Sequence, residues 1–344
     1  MAGLPTSPSP SLRRPASALW PLHLPLGVLL IAVSWALNWS LPGLRSHLLF
    51  FPLWLGAILV MDAIVLRRSG TSLLSRSPSR FVVLFVLSVP LWWLFEALNL
   101  RTRNWQYLGE EAFSPLSYAL YASWNFSIVV PAVFEAAELL LTTRWISRLT
   151  RGPRVPDSAA VRIGLLIAGA AMLALLLVWP KAFYPLLWVS FVFLLEPLCR
   201  WLGRRSLLTD LQRGDWRRFV ALWAGTLLCG FLWELWNSRS SPKWIYHVPG
   251  AEFWYLFEMP ALGYLGYLPF GLEVYLFTQL LWKDAPALQA TDPVDLTLAC
   301  VDGRLAGRLE SRAAAGAGSV PSVPGVQASF ASQRSKPANP SASR

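Results

Sequence analysis

Eight apolar stretches, each of roughly 20 residues, constrain this 344-residue chain more than any other feature. A helix needs about 20 predominantly apolar residues to cross the hydrocarbon core of a bilayer. The sequence therefore predicts an all-α, polytopic membrane protein of about eight transmembrane helices. The stretches lie at about 20–39, 47–66, 81–100, 116–141, 160–179, 183–200, 218–237 and 256–282.

Composition supports this class and argues against several others. Hydrophobic residues make up 55% of the chain and charged residues only 14%, against roughly 25% charged in an ordinary soluble domain. The net charge of +11 does not indicate nucleic-acid binding, because the basic residues fall in short loops between apolar stretches. The three cysteines form no CxxC pair and the three histidines are scattered. We therefore predict no metal site and no cofactor.

The loop charges predict how the chain lies in the membrane. With the N-terminus in the cytoplasm, fifteen arginines fall in inner loops and six basic residues in outer loops. Cytoplasmic loops are enriched in Lys and Arg, so we expect both termini in the cytoplasm, at a bacterial inner membrane. The expected segments are a disordered N-terminus 1–19, membrane repeat 1 at 20–150, a linker 151–159, membrane repeat 2 at 160–283, and a disordered Ala/Ser/Pro/Gly-rich tail 284–344.

The two membrane units carry an internal repeat. Three motifs recur at offsets of 138 or 139: Glu96-Ala-Leu-Asn99 as Glu234-Leu-Trp-Asn237, Trp105-Gln-Tyr107 as Trp244-Ile-Tyr246, and Pro131-Ala-Val-Phe-Glu135 as Pro269-Phe-Gly-Leu-Glu273. Trp54 and Asp62 match Trp188 and Glu196 at an offset of 134. Four spans return the chain to its starting side, so both units have the same orientation. We expect a pseudo-two-fold axis along the membrane normal.

Acidic residues inside apolar helices are the candidate catalytic groups. A charge at the bilayer centre costs at least ~2.5–3.5 kcal/mol, so an intramembrane carboxyl indicates a functional site by default. The repeated pairs are Glu96 with Glu234 and Glu135 with Glu273. We expect the second pair to face an interior cavity, with at least one member protonated at pH 7. A structural hydrogen bond or an arginine partner stays open as the alternative, above all for Asp62, Glu138, Glu196 and Glu258.

Prolines and aromatic residues accompany these acids. Pro131 and Pro269 stand four residues before Glu135 and Glu273, and proline bends a helix and frees a backbone carbonyl. Indole and phenol rings attract cations, although Trp and Tyr also form ordinary interfacial belts. The predicted substrate-binding residues are Trp93, Trp105, Trp233, Trp244, Tyr107, Tyr246, Asn99 and Asn237.

The order of these motifs resembles a known family. An acid, about nine residues, Trp-x-Tyr, and then a helix with Pro and Glu is similar to the integral-membrane lycopene cyclase domain family and its carotenoid hydratase relatives. The resemblance covers Glu96 to Tyr107 with Pro131 to Glu138, and the corresponding second-unit patches. It implies an all-helical enzyme that acts on membrane-dissolved polyenes through acidic motifs without a metal. The family's Pro-x-Glu-Glu motif is not reproduced here.

Three functions follow as hypotheses. The first is a metal-independent cyclase or hydratase that protonates a hydrophobic isoprenoid, with the carboxyls as general acids. The second is a proton-coupled transporter of a small molecule or lipid, which parallel repeats suit equally well. The third is a structural membrane protein without catalysis. The partners expected are the lipid bilayer and an isoprenoid substrate, and no nucleic acid.

Overall fold

A computed structural model describes residues 20–288 of the chain, and this part is mostly helical. The predicted disordered N-terminus 1–19, and the predicted tail beyond residue 288, lie outside the described residues. The helices are α1 (His23–Ser40), α2 (Ser46–Ser69), α3 (Leu73–Arg76), α4 (Pro78–Thr102), α5 (Pro115–Phe126), α6 (Val129–Leu141), α7 (Arg144–Ser147), α8 (Ala159–Val178), α9 (Pro180–Phe183), α10 (Leu187–Trp201), α11 (Leu207–Gln212), α12 (Arg217–Asn237) and α13 (Tyr267–Leu281).

Seven helical segments within residues 20–288 are long and apolar enough to cross a membrane. They are His23–Ser40, Ser46–Ser69, Pro78–Thr102, Pro115–Leu141, Ala159–Val178, Pro180–Trp201 and Arg217–Asn237. Each coincides with one of the first seven predicted spans, which confirms their helical character. The seven apolar helices are consistent with an integral membrane protein.

The eighth predicted span, 256–282, has a different structure. It begins as a short strand pair, continues as a 3-10 turn over Ala261–Gly266, and becomes helical only in α13. Pro260 and two glycines interrupt the first part of the segment. The 15 residues of α13 measure about 22 Å at 1.5 Å each, which is short for a full crossing, so a count of eight stays a prediction.

The same helix contacts occur in both halves of the chain. In the first half α1 packs on α2, α2 on α6, and α4 on α6. In the second half α8 packs on α10, α10 on α13, and α12 on α13. The halves meet mainly where α6 packs against α12. The core therefore lies between helices that carry the repeated motifs.

Close approach of α1 and α2 depends on two glycines. A Cβ atom added at Gly27 would lie 2.9 Å from the Gly56 carbonyl oxygen, and one added at Gly56 would lie 2.7 Å from the Gly27 carbonyl oxygen. Both distances are too short for a side chain. The pair lets two backbones touch, as small residues do at helix crossings in membranes.

The segment Pro115–Leu141 is interrupted immediately before Pro131. Helix α5 ends at Phe126 and α6 begins at Val129, which puts Pro131 in the first turn of α6, where a missing N–H disrupts no helical bond. The Ser88 hydroxyl bridges the break by donating to the Phe126 carbonyl oxygen at 2.5 Å and accepting from the Val130 N–H at 3.1 Å. The prolines thus begin helices rather than bending them in the middle, since Pro269 has the same position in α13.

Two short antiparallel ribbons complete the described part of the chain. Strand β1 (Trp105–Leu108) pairs with β2 (Lys243–Tyr246), and β3 (Tyr255–Leu256) pairs with β4 (Met259–Pro260). In the first ribbon Trp105 lies opposite Tyr246, and Tyr107 lies opposite Trp244. The two Trp-x-Tyr motifs are therefore brought together, each tryptophan facing the other motif's tyrosine.

Candidate functional site

A cavity of about 470 Å³ lies beside the ribbon of β1 and β2. Five tryptophans line it, together with tyrosines, phenylalanines and aliphatic side chains, and none of its lining residues in the described part of the chain is charged. The exposed part of its wall is apolar and includes Leu262 and Leu265. Such a cavity suits an apolar ligand that reaches it from a lipid phase. The tryptophans are Trp92, Trp105, Trp188, Trp233 and Trp244.

Glu96 stands behind one part of this aromatic wall. Its Oε1 atom accepts hydrogen bonds from Trp92 Nε1 at 2.8 Å, from Trp105 Nε1 at 3.1 Å and from the Tyr107 hydroxyl at 2.5 Å. All three donor residues line the cavity. One carboxyl oxygen is thus fixed by three cavity-wall side chains.

Glu234 occupies the corresponding place in the second half. Its Oε1 atom accepts from the hydroxyls of Tyr246 and Tyr267, both at 2.7 Å, and from Trp244 Nε1 at 3.4 Å. These three donors also line the cavity. Glu234 is fully buried, and its Oε2 atom has no hydrogen-bond partner among the described residues. The predicted catalytic pair Glu96 and Glu234 therefore supports the walls of one cavity.

The third donor reaches each glutamate from a different element. Trp92 precedes Glu96 by one turn of α4, whereas Tyr267 reaches Glu234 from the start of α13. At an offset of 138, Trp92 corresponds to Gly230. A Cβ at Gly230 would lie 2.3 Å from the Tyr267 ring, so the glycine provides the space for that tyrosine. In the first half the third donor is a tryptophan on the same helix as the glutamate. In the second half it is a tyrosine on the following helix, α13.

The asparagines of the motifs position the strands. Asn99 Oδ1 accepts from the backbone N–H groups of Asn104 and Trp105, and its Nδ2 donates to the Trp105 carbonyl oxygen at 2.7 Å. Asn237 makes the equivalent pair of bonds with the backbone of Trp244, at 3.0 and 2.7 Å. Both side chains bond the chain that follows their helix, and neither lines the cavity. They place the indoles next to the carboxyls.

The two ribbon tyrosines are held as neutral donors. Burial, followed by the neighbouring Glu96 carboxyl, raises the pKa of Tyr107 well above its ordinary range. Burial and the Glu234 carboxyl raise the pKa of Tyr246 in the same way. Both phenols therefore keep their protons at neutral pH and continue to donate to the carboxyls.

Glu135 and Glu273, which we expected to face an interior cavity, do not line this one. Both are fully buried; the Asp62 side chain lies within hydrogen-bonding reach of Glu135, and the Phe191 backbone lies within reach of Glu273. The charged groups nearest Glu135 are Asp62, Glu138 and Arg76. Pro269 does line the cavity, and Glu273 lies one helical turn further along α13, among packed helices.

The acids for which a structural role stayed open all have structural partners. Asp62 accepts from the Ser72 hydroxyl at 2.8 Å and the Leu74 N–H at 3.0 Å, and lies 3.0 Å from His23. Its counterpart Glu196 accepts from the Ser206 hydroxyl and the Leu208 N–H. The remaining two form ion pairs: Glu138 with Arg76, and Glu258 with Lys243.

The remaining aromatic residues differ in whether they line the cavity. Trp233 lines the cavity, but Trp93 does not, because its Nε1 donates to Ser123 Oγ at 2.9 Å. Sequence reasoning missed Tyr267, Trp188 and Phe270 as wall residues. Trp188 carried a usable signal, since it matches Trp54 in the repeat. The Phe270 ring lies 5.8, 5.6 and 6.4 Å from the rings of Trp92, Trp188 and Trp233.

The described residues contain no group of three His, Cys, Asp or Glu side chains that could hold a metal ion. Comparison of the chain with protein-family models, with curated proteins and with solved structures gives no match.

Proposed function

We propose that this protein is an integral-membrane enzyme that protonates an isoprenoid lipid in the aromatic cavity, as a cyclase or hydratase without a metal. The observation that carries the proposal is the pair of glutamates, Glu96 and Glu234, each bonded to three side chains of one apolar cavity wall. The cavity volume and apolar lining suit a hydrocarbon ligand. The resemblance of the motifs to the lycopene cyclase domain family points to the same substrate class.

In this proposal a protonated glutamate is the general acid. The π electrons of an alkene take the proton from the carboxyl, which forms a C–H bond, leaves a carboxylate, and puts a positive charge on the neighbouring carbon. Aromatic faces stabilise a desolvated cation by ~2 kcal/mol or more. The cation then either loses a proton from an adjacent carbon after ring closure, or takes up water and releases a proton.

The three donors on each carboxyl have a defined part in this step. Indole N–H and phenol O–H groups stabilise the carboxylate that forms when the proton leaves, and they are in place beforehand. The Oε2 atom of Glu234 has no partner in the described residues, and we assign the transferable proton to it; because Glu234 does not line the cavity, the ligand must displace a wall side chain to reach this atom. Asn99 and Asn237 act through the strands that they hold and are positioning residues.

We further propose that the chain arose by duplication, with two four-helix units related by a pseudo-two-fold axis along the membrane normal and both termini in the cytoplasm. Matching helix contacts within the two halves support the duplication. The register of β1 on β2 supports it also, because exchanging the strands exchanges Trp105 with Trp244 and Tyr107 with Tyr246. A cavity shared by both units would then have an acid behind its wall on each side.

A proton-coupled transporter is the second candidate, and the position of Glu135 and Glu273 favours it. Both carboxyls are fully buried and away from the cavity wall, Glu135 beside the carboxyl of Asp62 and Glu273 beside the Phe191 backbone. Buried acids of this kind in membrane helices mark proton relays. A carrier of this type would take up and release protons at these residues without changing its substrate.

The test compares lipid extracts of cells with and without the protein by mass spectrometry. Wild-type protein is expected to convert an isoprenoid to an isomer or to a product heavier by one water. Glu96→Gln and Glu234→Gln keep hydrogen-bonding capacity but deliver no proton, and at least one should abolish conversion at normal membrane abundance. Glu111→Gln, at an exposed residue outside the cavity wall, is the matched control. Unchanged lipids, or full conversion by both variants, would reject the enzyme.

A further inference from the structure

A second, smaller chamber of about 90 Å³ adjoins the aromatic cavity. The two spaces share Phe50, Tyr107, Asn125, Phe126 and Trp244 as a common wall. The chamber is mostly apolar in its exposed wall, like the cavity, but charged and polar residues also line it. It is lined by Glu110, which is exposed, by the half-buried Lys243, and by tyrosine and serine hydroxyls.

Two polar atoms in the lining residues of this chamber are buried without a partner. His47 Nδ1 and Asn125 Oδ1 have no hydrogen-bond partner among the described residues. The Asn125 amide nitrogen is already used, since it donates to the carbonyl oxygens of His47 and Tyr121 at 3.0 and 2.8 Å. Buried polar groups are almost always satisfied by protein or by ordered water. A chamber of this size has room for several water molecules, and the two unpaired atoms are polar partners for water there.

Tyr107 connects the chamber to the acid. It lines both spaces, and its hydroxyl donates to Glu96 Oε1 at 2.5 Å. Glu234 has no such short, direct bond: Trp244, which also lines the chamber, donates to the Tyr246 hydroxyl at 2.8 Å and lies 3.4 Å from Glu234 Oε1. The two carboxyls therefore differ in their surroundings, although their motifs repeat.

We propose that this chamber is a water site, which places water against Tyr107 and links Glu96, but not Glu234, to the aqueous phase. The proposal that water occupies the chamber depends only on the structure of the chamber. The use of this water rests on the proposed function: Glu96, through Tyr107, is the acid that regains its proton from water, and water held at Asn125 is the co-substrate if the reaction is a hydration.

Hydroxyl-radical footprinting of the full-length protein in nanodiscs, read by mass spectrometry, tests the proposal with water itself as the probe. Radicals formed from water inside the chamber should oxidise Tyr107 and Tyr118 at least several-fold faster than Tyr275, which is fully buried and lines neither space. Equal, slow labelling of Tyr107 and Tyr275 would overturn the proposal and needs no variant.

A chamber-filling variant sharpens the result. Ala122 lines the chamber, whereas Ala119, one turn away on the same helix, lines neither space. Ala122→Leu should reduce oxidation of Tyr107 several-fold, and Ala119→Leu should leave it unchanged. If Ala122→Leu is folded and leaves the oxidation rate intact, the chamber is not the source of the water. Because labelling does not depend on turnover, a negative lipid assay and a negative footprint are separate outcomes.

Discussion

Gly230 lies at the position where the two halves of the site differ most, so Gly230→Ala tests how the Glu234 cluster is built. The added Cβ would lie 2.3 Å from Cδ2 of Tyr267, against an ordinary carbon–carbon contact of about 3.5–4.0 Å. The ring must therefore retreat by more than about 1 Å. The Tyr267–Glu234 bond, now 2.7 Å long, would then exceed hydrogen-bonding distance.

The magnitude follows from two opposing effects. Leaving a buried hydrogen-bonding group without its partner costs about 1–3 kcal/mol, while alanine is favoured over glycine in a helix by about 0.5–1 kcal/mol. We expect a net loss of about 1–2 kcal/mol. At about 2–4 °C per kcal/mol the Tm falls by about 2–8 °C. Gly164→Ala is the control, because a Cβ at that helical glycine meets nothing within 4 Å, and it should raise the Tm slightly.

Thermal unfolding can be followed with a thiol-reactive dye, since Cys199 and Cys229 are buried free thiols. Cys300, outside the described residues, is replaced by serine in every variant. In a Tyr267→Phe background the hydroxyl is already absent, so Gly230→Ala should cost about 1.5 kcal/mol less than in wild type. An equal cost in both backgrounds, or stabilisation by Gly230→Ala, would refute the reasoning.

Three further results are expected. Asn99→Ala should lower stability by about 1–3 kcal/mol in the same thermal assay, because it leaves backbone groups at the start of β1 without partners; an unchanged Tm would show that the strand holds without it. Arg76→Ala should cost more, about 3–5 kcal/mol, since it removes the arginine that forms an ion pair with the buried Glu138 carboxylate, and restoration by Glu138→Gln is expected in the double variant. In alkaline titration followed by tyrosine absorbance, Tyr107 and Tyr246 should ionise well above the ordinary phenol range because their pKa values are raised. Between the ordinary phenol pKa and the raised values, these phenols ionise only in the unfolded chain. The free energy of unfolding therefore falls as pH rises through this window. The fall should be smaller in variants with phenylalanine at both positions.

The helices were predictable to a large extent from hydrophobicity alone. The predicted span 47–66 is α2, Ser46–Ser69, and the predicted span 116–141 is the segment Pro115–Leu141. The last span was not predictable in this way. Residues 256–266 are apolar, but Pro260 and the nearby glycines give them a strand pair and a 3-10 turn, and a count of apolar residues does not register this.

The site was predictable where the repeat is regular. Glu96, Trp105 and Tyr107 were found because they recur as Glu234, Trp244 and Tyr246. The third donors, Trp92 and Tyr267, were missed. Comparing the two units at an offset of 138 pairs Trp92 with Gly230, and such a mismatch does not indicate a shared role. Glu135 and Glu273 also recur, but recurrence does not distinguish a cavity wall from a helix interface.

Deuterium labelling tests the central claim, protonation of an isoprenoid by a cavity carboxyl, most directly. Membranes containing the protein are incubated in D₂O with an isoprenoid lipid extract, and the products are analysed by mass spectrometry. The account predicts a product with one deuterium bound to carbon for wild type and Glu111→Gln, and none for whichever of Glu96→Gln and Glu234→Gln removes the acid. Conversion without carbon-bound deuterium, or equal labelling by wild type and both cavity variants, would contradict it.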